Sequence, residues 1–391
     1  MNYSIGLDNN GALEFEVNSL YATLLNVSDR RHARGKRYSL ATLLTLSVLA
    51  KLSGEDTPEG MADWVKLRGK EVCEHLGLRR TSLPHAVTYR RVLGHAVDLT
   101  ELEQVVGRFF AGQAATNKAL AIDGKSMRGT IAAGETRGVH LLAVYSVECG
   151  VVLNQVDVTV KENEISAAPR VLAQVALENK VVTGDAMFAQ RELSAQIVGA
   201  GGHYLWQVKD NQPTLRAAIE RLFAPERIWP GSAALQTDFQ TVRVTTKGHG
   251  RLTSHTLTSS SLLNATTDWP KLAQVFQVVR QVRYIKSGKT TAETSYGITS
   301  LPVAHASPRQ LLALKGGHWA IENKLHYCRD VTFHEDACQL AIGHAAQTIA
   351  ILNNLVLGLL RLSGFTAIAH ARRQFDASLL NGLLLIFSAF S

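Results

Sequence analysis

The chain has 391 residues, 46% hydrophobic and 19% charged, a composition typical of a folded globular protein with two or three domains. Its formal net charge of +8 favours a polyanionic partner, although charge alone leaves both nucleic acid and an acidic membrane surface open. Four scattered cysteines without CxxC spacing argue against a disulfide framework or structural zinc, and the N-terminus lacks the basic start and apolar stretch of a secretory signal, which predicts reduced thiols in a cytoplasm.

The first 117 residues are predicted to be helical. Apolar residues recur every three or four positions in SLATLLTLSVLAKL (39–52) and in LTELEQVVGRFFAG (99–112). Thr57 before Pro58 is typical of a helix start, and Thr100 with Glu103 has the spacing of a capping box. We therefore predict a helical N-terminal domain over residues 1–117.

Two basic segments lie within this helical region. The first, DRRHARGKRYS, contains five cations that either belong to a solvated loop or contact DNA phosphates: Arg30, Arg31, Arg34, Lys36 and Arg37. The second contains Arg79, Arg80, Arg90 and Arg91 around TSLPHAVTYRRVL. A helix-turn-helix variant would suit this segment, but the sequence does not identify a recognition helix.

From Lys118 the pattern changes to strands alternating with helices. Apolar runs predict strands in ALAID (119–123), GVHLLAVYSVECG (138–150) and VVLNQVDVTV (151–160), the last two joined at Gly150. A helix from about Ser166, the strand KVVTGD, the helix AQRELSAQIVGA, the strand HYLWQVK and the helix PTLRAAIERLF follow. This alternation indicates a sheet with parallel strands and helical covers.

The remaining part of the chain is predicted to contain a strand-rich segment followed by helices. Residues from about 231 to 301 alternate between polar and apolar positions, as expected of an inserted sheet or of the continuation of a larger one. After Ser307 and Pro308 helices resume to the end. The apolar C-terminal stretch LLNGLLLIFSAFS is too short to span a bilayer as a helix, so we interpret it as buried or partner-facing.

Three carboxylates are candidates for the chemistry. Asp123 ends one predicted strand, Asp185 ends another, and Glu322 lies in the predicted helix GGHWAIENKLHYCRD. Groups just beyond the ends of parallel strands converge on one crevice, so we expect Asp123 and Asp185 to be neighbours. Packed carboxylates require a balancing cation, and Mg²⁺ is the natural one because it prefers oxygen ligands.

Each of these residues also has an ordinary structural interpretation, since an Asp before a Gly is typical of a turn, Asp185 could cap the next helix, and Glu322 could lie on a helix surface. The surrounding cations and polar groups favour a phosphate-binding site: Lys125, Arg128, Lys209, Asn211, Gln212, His318, His326 and Arg329. His318, Glu322, His326 and Arg329 have the spacing of one α-helical face. A zinc site is less suited, because His-x-x-x-Glu-x-x-x-His is not the metalloprotease spacing. Glu335 and Asp336 are the alternatives to Glu322 as third ligand.

Several motifs resemble the DDE transposases of bacterial insertion sequences, and within them the H-repeat-associated type. The resemblance covers most of the chain, from DRRHARGKRYSLATLLTLSVLAKLSGEDTPEGMADW through AIDGKSMRG, VTGDAMFAQRE and YLWQVKDNQP to GGHWAIENKLHYCRDVTFHEDA. The wider group often has a Tyr and an Arg ahead of the Glu and a Lys after it. Lys315 and His318 occupy the upstream places here, and Arg329 the downstream one.

This resemblance implies the fold and the site. It implies an α/β ribonuclease H-like catalytic core over residues 118–391, with a β-strand insertion at about 214–301 and helices over 308–391. Asp123, Asp185 and Glu322 would bind two Mg²⁺ ions, which Mn²⁺ could replace, without any organic cofactor.

The partners and the activity follow from the same resemblance. The partners would be double-stranded DNA, as terminal inverted repeats and as target, and a second copy of the chain on that DNA, with no membrane and a location at the bacterial nucleoid. Two other activities remain open: a metal-dependent nuclease without strand transfer, and a non-catalytic DNA-binding protein descended from a transposase.

Overall fold

The computed structural model describes residues 14–78, 83–114, 116–224, 238–340 and 342–389. Over these ranges the chain forms a mixed α/β fold with one nine-stranded sheet, which confirms the predicted α/β class. Arg79 and Arg80 of the second basic segment lie outside the described residues.

The helices follow the predicted apolar periodicity in most places. Those found in the described ranges are α1 (Leu20–Leu24), α2 (Leu40–Leu52), α3 (Pro58–Leu67), α4 (Gly69–His75), α5 (Ala86–Arg91), α6 (Leu99–Gln113), α7 (Glu164–Leu172), α8 (Arg191–Gly199), α9 (Pro213–Phe223), α10 (Pro308–Gly317), α11 (Tyr327–Val331), α12 (Ala345–Leu362), α13 (Ile368–Ala377) and α14 (Leu379–Phe387).

The strands combine parallel and antiparallel pairing. They are β1 (Ala119–Ser126), β2 (His140–Ser146), β3 (Val151–Asp157), β4 (Val181–Gly184), β5 (His203–Val208), β6 (Gln240–Gly248), β7 (Arg251–Ser260), β8 (Gln274–Tyr284) and β9 (Thr290–Thr299), in the order β3-β2-β1-β4-β5-β9-β8-β7-β6. β4 pairs in parallel with β1 on one side and with β5 on the other. The antiparallel pairs are β2 with β3, β5 with β9, β9 with β8, β8 with β7 and β7 with β6. The strand-rich segment after α9 is therefore a continuation of the larger sheet.

The chain divides into two compact units. Unit 1 contains the described residues up to Asn117, Gly124–Ala167 and those from Ile321 onward, and unit 2 contains Lys118–Asp123 and Ala168–Ala320. In unit 1 every residue of α2 is buried, and most of α12 is buried as well. In unit 2 the core under the sheet includes Leu205, Phe276 and Leu311.

Helix ends show where the local predictions succeeded and where they failed. Thr57 caps α3 as predicted, since its hydroxyl accepts a hydrogen bond from the Gly60 amide. The predicted capping box of Thr100 and Glu103 is wrong, because α6 begins at Leu99 and Asp98 accepts from the Glu101 amide at 3.0 Å. Glu103 is instead buried in the core.

Two further features bear on the apolar segments. Among the described helices, only α12 has the length and apolarity to cross a membrane, and 83% of it is buried within the protein, as in the core of a globular protein. The apolar C-terminal stretch forms α14 through Phe387, with Leu383 and Ile386 buried, which confirms the interpretation as a buried segment for its described part.

Candidate active site

Asp123 lies within β1, which continues to Ser126, so the prediction that it ends a strand is wrong, whereas Asp185 directly follows the end of β4 as predicted. The parallel register of β1 and β4 pairs Ile122 with Gly184, so each aspartate follows directly after a paired residue. Neighbouring strands are separated by about 4.8 Å, which brings the two backbones to that spacing at the aspartates. The backbones of Asp123 and Asp185 therefore each follow one member of a paired residue couple within unit 2.

Gly184 is required at this strand end. A Cβ there would lie 2.8 Å from Phe188, 2.9 Å from Ile122 and 3.0 Å from the Trp206 ring, so the close packing under the site excludes a side chain. Beyond Gly184, Asp185 precedes a short 3₁₀ turn without forming a side-chain capping bond to it. Its carboxylate, 61% exposed, is not used as a helix cap and can bind a ligand.

His318 lies beside Asp185. The Thr183 hydroxyl donates to the Leu120 carbonyl at 3.0 Å and meets the Nδ1 atom of His318 at 3.3 Å. With the hydroxyl proton used on Leu120, Nδ1 is the donor in that contact, and Nε2 of the same ring faces a carboxylate oxygen of Asp185 at 3.8 Å. Thr183 thus sets the orientation of the imidazole toward Asp185.

The segment after Asp185 is held by two side chains from the end of β5. Asn211 donates from Nδ2 to the Ala186 carbonyl at 2.6 Å, and Gln212 donates from Nε2 to the Ala189 carbonyl at 2.9 Å. These amides were expected to contact phosphates. In the structure their donors are engaged with the backbone, so Asn211 and Gln212 position the loop of Asp185.

A cleft of about 830 Å³ opens in unit 2 with Asp185 among its lining residues. Cationic side chains come to it from β5, α9, α10 and the long strands β6, β7 and β8: Lys209, Arg216, Lys247, Arg251, Arg280 and Lys315. His249, His255, Tyr296 and the 59% exposed Trp319 also line it, together with Asp210 and Glu293. The cations outnumber the carboxylates, so the cleft is suited to a polyanion.

The crowding of like charges is visible in two groups of this cleft. Burial lowers the pKa of Lys315, and the Lys209 and Arg280 cations lower it further, against the opposite influence of Glu293 and Asp185. Burial also lowers the pKa of His255, with Arg280 and Lys315 acting in the same direction. An anion in the cleft would relieve this repulsion.

Glu322 lies in unit 1, in a π-helical stretch over Ile321–His326. Its carboxylate is 53% exposed, and the side chains of Glu322 and buried His326 approach to 4.0 Å between Oε2 and Nδ1. Both groups are metal ligands by chemistry. The third predicted carboxylate is therefore accessible.

The prediction that Arg329 shares the face of Glu322 and contacts DNA is wrong. The π-helical hydrogen bonds span five residues in place of four, which shifts the following turn relative to an ideal α-helix. Arg329 is completely buried and forms a bidentate ion pair with Glu335 at 2.7 and 2.8 Å. Arg329 and Glu335 are thus part of the core, which also removes Glu335 as an alternative metal ligand.

Lys125 and Arg128 also differ from the prediction. Lys125 is buried between Asp330 and Asp336 in unit 1, so the prediction that it contacts phosphates is wrong. Arg128 remains 81% exposed while its Nε lies 3.7 Å from Asp336, and its amide donates to the same carboxylate at 3.1 Å. Asp336 therefore neutralises these cations and is not available as the third metal ligand.

Two of the five cations of the N-terminal basic segment form ion pairs within the protein. Arg31 pairs with Asp29 at 2.7 Å and also donates to the Tyr38 carbonyl, and Arg30 pairs with Asp98 at 2.6 Å. Lys36 donates to the Asp29 carbonyl while remaining exposed, and Arg34 and Arg37 are exposed too. Of the second segment, Arg90 pairs with Glu59.

Most of the cleft cations were not among the predicted site residues. Lys247 and Arg251 flank the turn between β6 and β7, and Arg280 lies on β8 opposite His255 of β7. The signal in the sequence is a basic residue on each of several neighbouring amphipathic strands. These residues come together only when the strands pair, and a single sequence does not give the strand pairing.

Two family models match this chain. Residues 115–359 match the family model described as Transposase DDE domain, and residues 21–110 match the model described as DDE_Tnp_1-associated. The chain is 26% identical over 353 residues to "H repeat-associated putative transposase YhhI" of Escherichia coli K12, covering 88% of this chain and 91% of that protein. It is 29% identical over 357 residues to "Putative transposase YncI" of Escherichia coli O157:H7, covering 88% of each.

Among solved structures, the chain is similar to the piggyBac transposase in its synaptic complex with hairpin DNA. That match covers 94% of this chain and 77% of the piggyBac chain, with 12% identity and a TM-score of 0.42.

Proposed function

We propose that this chain, which belongs to the family described as Transposase DDE domain, is a DNA transposase that binds the terminal inverted repeats of its insertion sequence and catalyses strand cleavage and strand transfer. The observation that carries the proposal is the parallel register of β1 and β4, which puts Asp123 and Asp185 next to each other. Asp185 also lines the cationic cleft, and Asp123 belongs to the same unit.

The donor chemistry fits divalent metal ions. Asp123 and Asp185 offer carboxylate oxygens from adjacent strands, and Glu322 offers a third from an exposed position. We propose that these three residues hold Mg²⁺, or Mn²⁺ in its place. When bound, two such ions would supply activation of the attacking hydroxyl and support of the leaving 3′-oxygen in phosphodiester displacement.

The residues of the chain supply binding and orientation around this chemistry. Nε2 of His318 lies 3.8 Å from the Asp185 carboxylate, while Asn211 and Gln212 hold the backbone that follows it. Lys209 and the other cations of the cleft bind the phosphates of the DNA strand, which raises affinity and makes it dependent on salt. Exposed Arg34, Lys36, Arg37 and Arg128 would add phosphate contacts in unit 1.

The wider organisation is part of the same proposal. We place a ribonuclease H-like core in residues 118–391, with the insertion at about 214–301 and a helical domain in residues 1–117 that contributes to DNA binding. Two ends of one element must be paired for transfer, so the active form on DNA would be a dimer at the bacterial nucleoid.

A strand-cleavage assay tests the function. The substrate is the DNA that flanks the gene on both sides, incubated with Mg²⁺ or Mn²⁺ and with wild-type protein or the variants Asp123→Asn, Asp185→Asn and Glu322→Gln. Asp268→Asn is the matched control, because Asp268 is fully exposed and pairs with surface Arg191.

Metal-dependent nicking at an inverted-repeat boundary, lost in the three variants and kept in the control, supports the proposal. Cleavage by Asp185→Asn at the wild-type rate would overturn it. Cleavage without subsequent joining of the 3′ end to target DNA would identify a nuclease, and tight binding without cleavage would identify a DNA-binding protein.

A further inference from the structure

A second chain of reactive side chains lies in unit 1. The Oγ atom of Ser126 is 2.7 Å from Nδ1 of His140, and Nε2 of the same imidazole is 2.9 Å from Oε1 of Glu164. Ser126 is exposed, whereas the side chains of His140 and Glu164 are only 17% and 18% exposed. The hydroxyl is thus presented to solvent by a largely buried pair.

Three elements bring these residues together. Ser126 is the last residue of β1, His140 the first of β2, and Glu164 the first of α7. The loop between the two strands is closed beside them, because the Met127 amide donates to the Val139 carbonyl at 2.8 Å. The relative position of Ser126 and His140 is therefore fixed by backbone pairing.

Gly124 makes room for the carboxylate. A Cβ at this position would lie 2.3 Å from Oε1 and 2.8 Å from Oε2 of Glu164, so only glycine lets Glu164 approach β1 closely enough to reach His140. The cation of the same strand, Lys125, pairs with Asp330 and Asp336 and does not compete for Glu164.

The hydrogen bonds assign a role to each ring nitrogen. An ionised carboxylate only accepts hydrogen bonds, so Nε2 of His140 carries the proton that faces Glu164. Nδ1 then has its lone pair toward Ser126 and accepts the hydroxyl proton. A hydroxyl bonded to a base that is oriented by a third group is the arrangement of an activated nucleophile.

We propose that Ser126, His140 and Glu164 form a nucleophilic serine site that reacts with acyl esters, separate from the carboxylates proposed for DNA cleavage. Oγ of Ser126 attacks the carbonyl carbon of the ester while its proton passes to Nδ1 of His140. The bond from that carbon to the alcohol oxygen breaks, and the alcohol leaves with the proton.

The acyl-serine is then hydrolysed by water. His140 takes a proton from the water as its oxygen bonds to the carbonyl carbon, and returns that proton to Oγ of Ser126 as the carboxylic acid departs. Glu164 stays ionised in both steps and stabilises the imidazolium that forms.

The test uses the full-length protein in EDTA, so that metal-dependent hydrolysis does not contribute. The probes are p-nitrophenyl acetate, followed by release of p-nitrophenol, and a fluorophosphonate, followed by intact and peptide mass spectrometry. We expect one fluorophosphonate adduct per chain on the Ser126 peptide, none in Ser126→Ala, and labelling slowed by about 10²-fold in His140→Gln. Ser287→Ala, which removes an exposed serine without a base, is the matched control and should label as wild type.

Two outcomes would overturn the site: no adduct on Ser126 in wild-type protein that melts cooperatively, or an equal labelling rate in wild type and His140→Gln. Glu164→Gln provides a second variant in case His140→Gln does not fold, and it should label more slowly than wild type. Because this reaction does not use Asp123 or Asp185, its failure would leave the strand-cleavage assay unaffected.

Discussion

The side-chain amide of Asn211 donates a 2.6 Å hydrogen bond to the main-chain carbonyl of Ala186, the residue that follows Asp185. Gln212 forms the corresponding bond to Ala189 from the same strand end. These two bonds connect the end of β5 to the loop that begins with a proposed metal ligand, so a residue without catalytic chemistry determines where Asp185 lies.

Replacing Asn211 should therefore lower the cleavage rate clearly while changing the thermal stability only slightly. Asn211→Ala removes a bond with a net contribution of about 1 kcal/mol, and we expect up to a tenfold lower cleavage rate at saturating DNA with a small decrease in Tm. Asn264→Ala is the control, since Asn264 forms a similar 2.7 Å bond to the Ala273 carbonyl away from the cleft. Equal slowing in both variants would contradict a positioning role for Asn211.

The cations of the cleft should determine the salt dependence of DNA binding. Lys247→Ala or Arg251→Ala removes one phosphate contact, so the slope of log K against log salt should fall by about one in each variant. The measurement is a binding titration at several salt concentrations on the same duplex. Arg221→Ala, at the exposed end of α9 and outside the cleft lining, should keep the wild-type slope. An unchanged slope in both cleft variants would show that DNA binds elsewhere.

Replacing only one partner of the Arg329–Glu335 ion pair should lower the free energy of unfolding strongly. Both side chains are completely buried. Asn353 donates a hydrogen bond to the Glu335 carboxylate, and the side-chain oxygen of Asn354 accepts one from Arg329. Arg329→Met leaves Glu335 buried without its cation, so we expect a loss of about 3–5 kcal/mol in the free energy of unfolding. The double variant Arg329→Met with Glu335→Leu should recover part of that loss, as measured by urea denaturation. A single variant as stable as the wild type would contradict this assignment.

Glu103 should make stability decrease as pH rises. Burial raises its pKa to about 8 in the folded chain, against the opposing influence of Arg329 and of a hydrogen bond with the Gln155 backbone. The folded state therefore holds a proton that the unfolded state releases near pH 4.5, so this contribution to stability is complete below that pH and is lost as pH rises toward 8. We expect the free energy of unfolding to fall by up to ~1.4 kcal/mol per pH unit in this window.

The control for this prediction is Glu103→Gln, which keeps the size of the side chain and cannot titrate. Its unfolding free energy should vary less between pH 5 and 8 than that of the wild type, in urea titrations at matched ionic strength. Identical pH profiles would mean that Glu103 is already ionised in the folded chain.

Local patterns in the sequence predicted most of the elements. The helix over 213–223 was predicted with the bounds of α9, and the strand from His203 corresponds to β5, because apolar periodicity and flanking Pro or Gly act within a few residues. The turn at Gly150 was predicted as well, and its φ of +74° explains why glycine suits it.

The residue environments were harder to predict from the sequence. Lys125 and Arg329 are cations of the kind that binds phosphates. In the structure Lys125 instead pairs with Asp330, and Arg329 pairs with Glu335, and both cations are buried. Whether a cation faces DNA or a carboxylate depends on partners that fold against it, and spacing along one helix does not reveal them once a π-turn changes the periodicity.

By itself, the sequence determined the alternation of strands and helices, the excess of positive charge and the position of Asp185 just after a strand, because each depends on residues close together in the chain. Only the tertiary structure decided that Ile122 pairs with Gly184 and that the cations of β6, β7 and β8 line one cleft. Strand register and burial are set by contacts between distant segments, and their free energies decide which charged side chains reach solvent.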